Sequence, residues 1–273
     1  MKLFPNKMIV VSFGSLTITW YAVFIITGAL LAYYISVKNF KKHNVDKELL
    51  SDFFVNVFVL GVIGARIWYV IFTYNEIFAG HSFLNVFKIY EGGLAIQGGL
   101  IAGVVYGIYF FKKHNLSIFV AGDCIMPNVL IAQSFGRLGN FINQEAHGSE
   151  VTKAFLESLH LPKFIIDGMY INGHYYHPTF LYEIIGNMVV FLIIILIIKR
   201  FVKIDGVAFL SYFIGYGVVR FFIEGLRTDS LMVFGFRTAQ LTSIAFIVVG
   251  FLGIGYLYFT NRNEKIINQE TGE

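Results

Sequence analysis

The sequence predicts an all-α polytopic membrane protein of about seven transmembrane helices, with a small extracytoplasmic head between the fourth and fifth. Three observations predict it. Soluble domains carry about 25% charged residues, whereas this 273-residue chain carries 14%, against 56% hydrophobic and 18% aromatic residues. Seven windows are long and apolar enough to cross a bilayer, which takes around 20 residues: 16–36, 52–74, 93–111, 119–139, 178–198, 206–225 and 238–259. Lysine and arginine gather after alternate windows: at Lys38, Lys41, Lys42 and Lys47 after the first, Lys112 and Lys113 after the third, Lys199, Arg200 and Lys203 after the fifth, and Arg262 and Lys265 after the last. If the spans alternate, all four clusters share one side. The positive-inside rule then puts the N-terminus outside and the C-terminus in the cytoplasm.

Taken in order, residues 1–13 show lysines but no short apolar core ending in a small-residue cleavage site, and Trp20-Tyr21 opens a full-length span, so no removable signal peptide is expected. Arg66 and Tyr69 lie in the second window. In the third, Gly99, Gly103 and Gly107 recur every four residues, a spacing that lets two helices pack closely. Asp123 and Gln133 lie in the fourth. Cys124 is the only cysteine, so there is no intrachain disulfide, and it reads as a small core residue. The link at 140–177 is too long for a passive connection. Asn172-Gly173 is a strong two-residue hairpin signal, and the residues around it read as a β-hairpin in the external head. No repeat or separate soluble domain is visible, so the chain reads as one integral-membrane domain over 1–273 with the head inserted at 140–177. The net charge of +4 is spread through short clusters rather than one stripe. Nucleic acid is therefore excluded as a partner, and the lipid bilayer is the surroundings.

The polar residues inside these windows carry the chemistry. Gly136 to Gly148 sets three side-chain amides, a guanidinium and a carboxylate beside apolar segments. A charge near hydrocarbon is disfavoured by about 2.5–3.5 kcal/mol on insertion scales, which makes Arg137 and Glu145 site candidates; the alternative is an interfacial anchor with the arginine snorkelling. Tyr216, Arg220, Glu224 and Arg227 stand at i, i+4, i+8 and i+11, on one helix face. Internal bridging suits Arg66, Asp123 and Glu183. Arg137 and Arg220 together suit a clamp for a phosphate, because a planar fork matches that group where a point charge does not. A phospholipid headgroup is the simplest source of phosphate. From the residues alone, a lipid-using transferase, a lipid transporter and a channel stay open.

The stretch Gly136, Arg137, Gly139, Asn140, Phe141, Asn143, Glu145, Gly148 resembles the characteristic motif of the bacterial prolipoprotein diacylglyceryl transferases. The resemblance extends to Trp20-Tyr21, Gly64-Ala65-Arg66 with Tyr69, Gly98-Gly99-Leu100, Asp123 and Pro127, His177 through Glu183, and Tyr216, Arg220, Glu224 and Arg227. It implies a bacterial plasma-membrane enzyme with seven spans and an external head. The implied reaction moves the diacylglyceryl group of phosphatidylglycerol to the lipobox cysteine of preprolipoproteins and releases glycerol 1-phosphate, with no metal or organic cofactor. Arg137 and Arg220 are then expected to stabilise the departing phosphate, with Tyr216 near the reacting centre. Tyr21, Asn140, Asn143 and Gly148 would contact the headgroup. Glu145 would position an arginine or the glycerol head. Glu224 would pair with Arg220 or Arg227, and Arg66, Asp123, Glu183 and Arg227 would support the site.

One position departs from the family. Where a histidine proposed as the thiol-activating base is usual, this chain has Gln97, whose amide takes no proton near neutral pH. His147 and His177 are other histidines close to the motifs, each equally well read as an interfacial hydrogen-bonding group. A zinc site from His174 and His177 lacks a further ligand at convincing spacing. An anionic-phospholipid flippase, or another phospholipid-dependent transferase, is the alternative function.

Overall fold

In a computed structural model of the chain, residues 9–13, 16–78, 83–89, 92–233 and 235–271 are described; the expectation of no removable signal thus falls partly outside the described residues. Two compact units form, Met1–Ser36 with Gly122–Glu273, and Val37–Ala121. The chain opens with an antiparallel pair, β1 (Ile9–Phe13) and β2 (Leu16–Thr19). The first predicted window therefore begins four residues too early. Thr17, Ile18 and Thr19 are β-branched and favour a strand, and Thr19 then accepts the Ala22 amide at 3.2 Å, starting helix α1 (Trp20–Lys41).

The smaller unit is built on α2 (Lys47–Thr73) and α3 (Ile96–Lys113), which pack together. Asp46 caps α2, accepting from the Glu48 amide at 3.1 Å. Of the expected stripe, Gly99 closes the contact, a Cβ there meeting the Gly61 carbonyl at 3.1 Å, and its neighbour Gly98 does so too, its carbonyl lying 2.6 Å from a Cβ on Gly64; a Cβ on Gly103 or Gly107 would make only ordinary contact, with Val57 at 3.8 Å or Phe53 at 3.9 Å. Arg66 pairs with no acid among the described residues. Nε and both Nη atoms donate to the carbonyls of Asn85, Val86, Gly92 and Gly93 at 2.7–3.0 Å. Its charge satisfies an irregular connection that has no ladder of its own. Gln97 lies exposed in the first turn of α3.

The larger unit holds α1, α4 (Ile118–Asn143), α7 (Thr179–Ile193), α9 (Val207–Leu226) and α10 (Thr238–Thr271). Before α7 come β3 (Glu150–Val151), α5 (Lys153–Ser158), α6 (Lys163–Gly168), β4 (Tyr170–Ile171) and β5 (His174–Tyr176). A π-helical stretch continues α7 into the short α8 (Lys199–Phe201), and β6 (Met232–Val233) pairs with β7 (Phe236–Arg237) before α10. Among the described residues, six helices are long and apolar enough to cross a membrane. The remaining predicted window, 93–111, becomes α3, only 18 residues long and ending on Lys112 and Lys113. At 1.5 Å per residue it is about 27 Å long, just short of the roughly 30 Å hydrocarbon core.

Three contacts lock α4 in place. Pro127 has no N–H to give the Asp123 carbonyl one turn earlier, and Lys199 Nζ donates to that oxygen at 2.9 Å. The Asp123 carboxylate itself accepts from the amides of Gly206 (2.7 Å) and Phe209 (2.6 Å), capping α9 across 83 residues of chain. Buried Asn128 donates to Ser36 of α1 at 2.9 Å.

The segment 140–177 has a small core of its own. Leu156, Ile165, Ile166 and Met169 bury against Phe180, and Phe180 stacks on Phe141 at 4.4 Å. The expected hairpin is β4–β5, pairing Tyr170 with Tyr175 and Ile171 with His174, with β3 added at its edge. Its turn residues Asn172 and Gly173 take φ of 50° and 93°, the two positive values that a type I′ turn demands.

Candidate active site

Three helices of the larger unit converge on one carboxylate. Glu183, in the first turns of α7 and 1% exposed, has Oε1 2.9 Å from Arg137 Nε on α4 and Oε2 3.3 Å from Arg220 Nη1 on α9. The contact to Arg137 is an ion pair by distance whose N–H is not aimed along the bond, so both atoms lack an aligned partner. Arg220 also donates through Nη2 to buried Glu224 at 2.5 Å, one turn further along α9. Arg237 donates to the Glu224 carbonyl. The Tyr216 phenol lies within reach of Arg137, Arg220 and Glu183 and completes the cluster. Burying a carboxylate costs several kcal/mol unless it is paired, and two guanidiniums on separate helices supply that pairing. The arginines remain 22% and 14% exposed, leaving each an accessible edge.

The end of α4 folds back over this cluster. Gln144 and Ala146 both take left-handed conformations, φ 55° and 57°, a costly backbone for residues with side chains. Between them, Glu145 is turned toward the helix it has just left. Its Oε1 accepts from Asn140 Nδ2 at 2.8 Å and from Asn143 Nδ2 at 3.3 Å, and Asn140 Oδ1 accepts from Arg137 Nη1 at 2.7 Å. Glu145 thus holds an arginine through Asn140 rather than directly. Thr179 Oγ1 anchors the turn by donating to the Ala146 carbonyl at 2.7 Å. The Tyr21 ring occupies the space a Cβ on Gly139 would need, beside Glu145 and Arg137.

The other predicted residues fall around this centre. Gly148 bridges the backbone of Arg227, and a Cβ there would meet the Leu226 carbonyl at 3.0 Å. Glu224 pairs with Arg220, whereas Arg227 forms a two-bond fork with Asp229 at 2.9 and 2.8 Å. That fork holds the Asp229 carboxyl below its ordinary range. His177 Nδ1 faces the Tyr182 hydroxyl at 3.3 Å, its ring lies against Phe155, and burial lowers its pKa, favouring the neutral imidazole. His174 is engaged separately with Glu150 at 2.6 Å. Cys124 is buried. Arg66 and Gln97 belong to the other compact unit. Asn187, fully buried one turn from Glu183, was not among the predicted residues. A lone amide in an apolar helix, four residues from a carboxylate, was the available signal.

The family model for prolipoprotein diacylglyceryl transferase matches residues 8–256. Similar proteins named phosphatidylglycerol–prolipoprotein diacylglyceryl transferase occur in Listeria innocua (43% identical over 255 residues, 93% of this chain and 90% of the relative), in Listeria welshimeri (44%, with the same coverage) and in Staphylococcus aureus (45% over 244 residues, 89% and 86%).

Removing one charge of a buried pair leaves its partners uncompensated, which costs on the order of 3 kcal/mol. Glu183→Gln should therefore lower the thermal unfolding midpoint of the purified protein clearly. An unchanged midpoint would show that the arginines do not depend on this carboxylate.

Proposed function

Because this chain belongs to the prolipoprotein diacylglyceryl transferase family, we propose that it moves the diacylglyceryl group of phosphatidylglycerol to the lipobox cysteine of preprolipoproteins and releases glycerol 1-phosphate. The observation that carries this reading is the pair of arginines from two helices held on one buried carboxylate. The cysteine sulfur attacks the glyceryl carbon that bears the phosphate. The C–S bond forms as the C–O bond breaks, the electron pair stays on the phosphate oxygen, and the thiol proton ends on the released phosphate. Negative charge therefore grows on the phosphate along the reaction path. Fixed guanidiniums favour that transition state over the diester ground state, and they do so without reorganising.

In this account Arg137 and Arg220 touch the phosphate, and Tyr216 lies beside the reacting centre. Asn140, Asn143 and Tyr21 contact the headgroup, and Gly148 keeps the backbone close to it. Glu183, Glu145 and Glu224 position the two arginines. The nucleophile comes from the substrate protein, consistent with the burial of Cys124. Gln97 orients substrate rather than taking a proton. A thiol with an ordinary pKa near 8.5 is already about one part in thirty thiolate at neutral pH, and cysteine depends least of all nucleophiles on a dedicated base. The protein is multi-pass, and we place it in the bacterial plasma membrane, with α3 as a seventh crossing that puts the N-terminus and the 140–177 head outside and the C-terminus in the cytoplasm.

The test is incubation of the purified protein with phosphatidylglycerol vesicles and a lipobox peptide, read by mass spectrometry. The peptide should gain the mass of one diacylglyceryl group, and Arg137→Lys and Arg220→Lys should each keep less than about a tenth of wild-type turnover, since lysine lacks the planar fork. Lipid movement between leaflets without peptide modification would instead favour a flippase.

Orientation is tested separately. In a Cys124→Ser background, a cysteine replacing Lys163 should react with an impermeant thiol reagent in intact cells, and one replacing Lys113 should not. The reverse pattern would overturn the proposed topology.

A further inference from the structure

One turn deeper than the arginine cluster, on the side away from the head, lies a second polar layer that the proposed reaction does not use. Arg137 and Glu183 face each other across α4 and α7, which run in opposite directions. The residues one turn below them are therefore Gln133, four before Arg137, and Asn187, four after Glu183. On α9 the same step down from Arg220 reaches Tyr216. The packing of α7 on α9 keeps the levels in register: Gly186 lies against Val219, and Gly215 against Val190. Below this layer the space closes in apolar contacts among Leu130, Val190, Ile194 and Ala208.

The layer is short of hydrogen bonds. Asn187 is 0% exposed, and neither its Nδ2 nor its Oδ1 has a partner among the described residues. Gln133 Nε2 donates to the Tyr212 hydroxyl at 3.0 Å, but its buried Oε1 lacks a partner among the same residues. Directly above, Glu183 Oε1 and Arg137 Nε are the two atoms whose contact is close but misaligned. A buried polar group left unpaired loses its hydration with nothing in return. A buried amide with an unpaired donor and an unpaired acceptor, one helical turn from a carboxylate oxygen without an aligned partner and at the depth of a second unpaired amide oxygen, supplies the two to four partners that an internal water needs.

We infer that Gln133 and Asn187 bind internal water that hydrogen-bonds upward to Glu183. The two amides are positioning residues: through the water they fix the rotamer of the carboxylate, and through the carboxylate they aim both guanidiniums. The kinetic part of this inference rests on the proposed transferase reaction, while the water site itself does not.

The test uses Asn187→Leu, which keeps the volume and removes both polar atoms, and Asn187→Ser, which keeps a polar group and leaves room for a further water. With phosphatidylglycerol vesicles and a lipobox peptide, Asn187→Leu should lower kcat about tenfold by misaiming the arginines. KM for the lipid should stay within about twofold, because uniform binding is retained, and the thermal midpoint should be equal to or above that of wild type. Asn187→Ser should recover most of the lost kcat. A crystal structure of the wild type at water-resolving resolution should show ordered density within hydrogen-bonding distance of the Asn187 amide and of Glu183. Wild-type kcat in the leucine variant would overturn the inference. So would a fall in kcat that tracks a fall in midpoint, or an Asn187 amide bonded directly to protein with no water beside it. If the wild type modifies no peptide at all, the proposed reaction fails, and the density alone then decides the water site.

Discussion

The buried Glu183 carboxylate is the constraint on which the site depends. Two guanidiniums on α4 and α9 would repel each other across an apolar interior, and the carboxylate on α7 makes their proximity favourable. That one group ties three helices at the level where α4 ends and the 140–177 segment begins. The consequence for chemistry is preorganisation. Arg137 is held from below by Glu183 and from the side by Asn140, which Glu145 holds in turn, while Arg220 is held between Glu183 and Glu224. Neither side chain has to search for its geometry when phosphate charge develops.

The supporting structure serves the same end by different means. Asp123 starts α9 by accepting two of its first amides, and the proline one turn after Asp123 frees the carbonyl that Lys199 then fills. The 140–177 segment is pinned through Phe141 on Phe180 and through Thr179 on the Ala146 carbonyl. The left-handed residues around Glu145 are thereby held in place at the point where the site needs a sharp reversal. The small-residue stripe of α3 does comparable work in the other compact unit, where it brings α3 against α2.

What was legible in the sequence was local. The apolar windows announced the helices, and the four-residue spacing of Tyr216, Arg220 and Glu224 announced one polar face. Asn172-Gly173 announced its turn, because the required positive φ values restrict residue choice so strongly. Hydropathy places the first helix start at Leu16 rather than Trp20, because an apolar strand running straight into an apolar helix shows no boundary in hydropathy. The count of seven spans met a similar difficulty in α3, where lysines take up the last two positions of a short helix. Long-range pairings were not legible. That Glu183 meets both arginines, that Asp123 caps a helix 83 residues away, and that Arg66 spends its donors on backbone carbonyls rather than on an acid all follow from tertiary placement. The signature residues Arg137, Asn140, Asn143 and Glu145 proved to be a single hydrogen-bonded chain, which their types suggested and their spacing alone did not establish.

The central claim is that Arg137 and Arg220 act as one unit because one carboxylate holds both. A double-mutant cycle in diacylglyceryl transfer to a lipobox peptide tests it most directly. Residues that act as a unit are strongly non-additive, so the Arg137→Lys/Arg220→Lys double variant should lose little more turnover than the worse single variant. Losses that multiply, with each substitution costing the same factor whether or not the other is present, would contradict the account and leave two independent cations in place of a clamp.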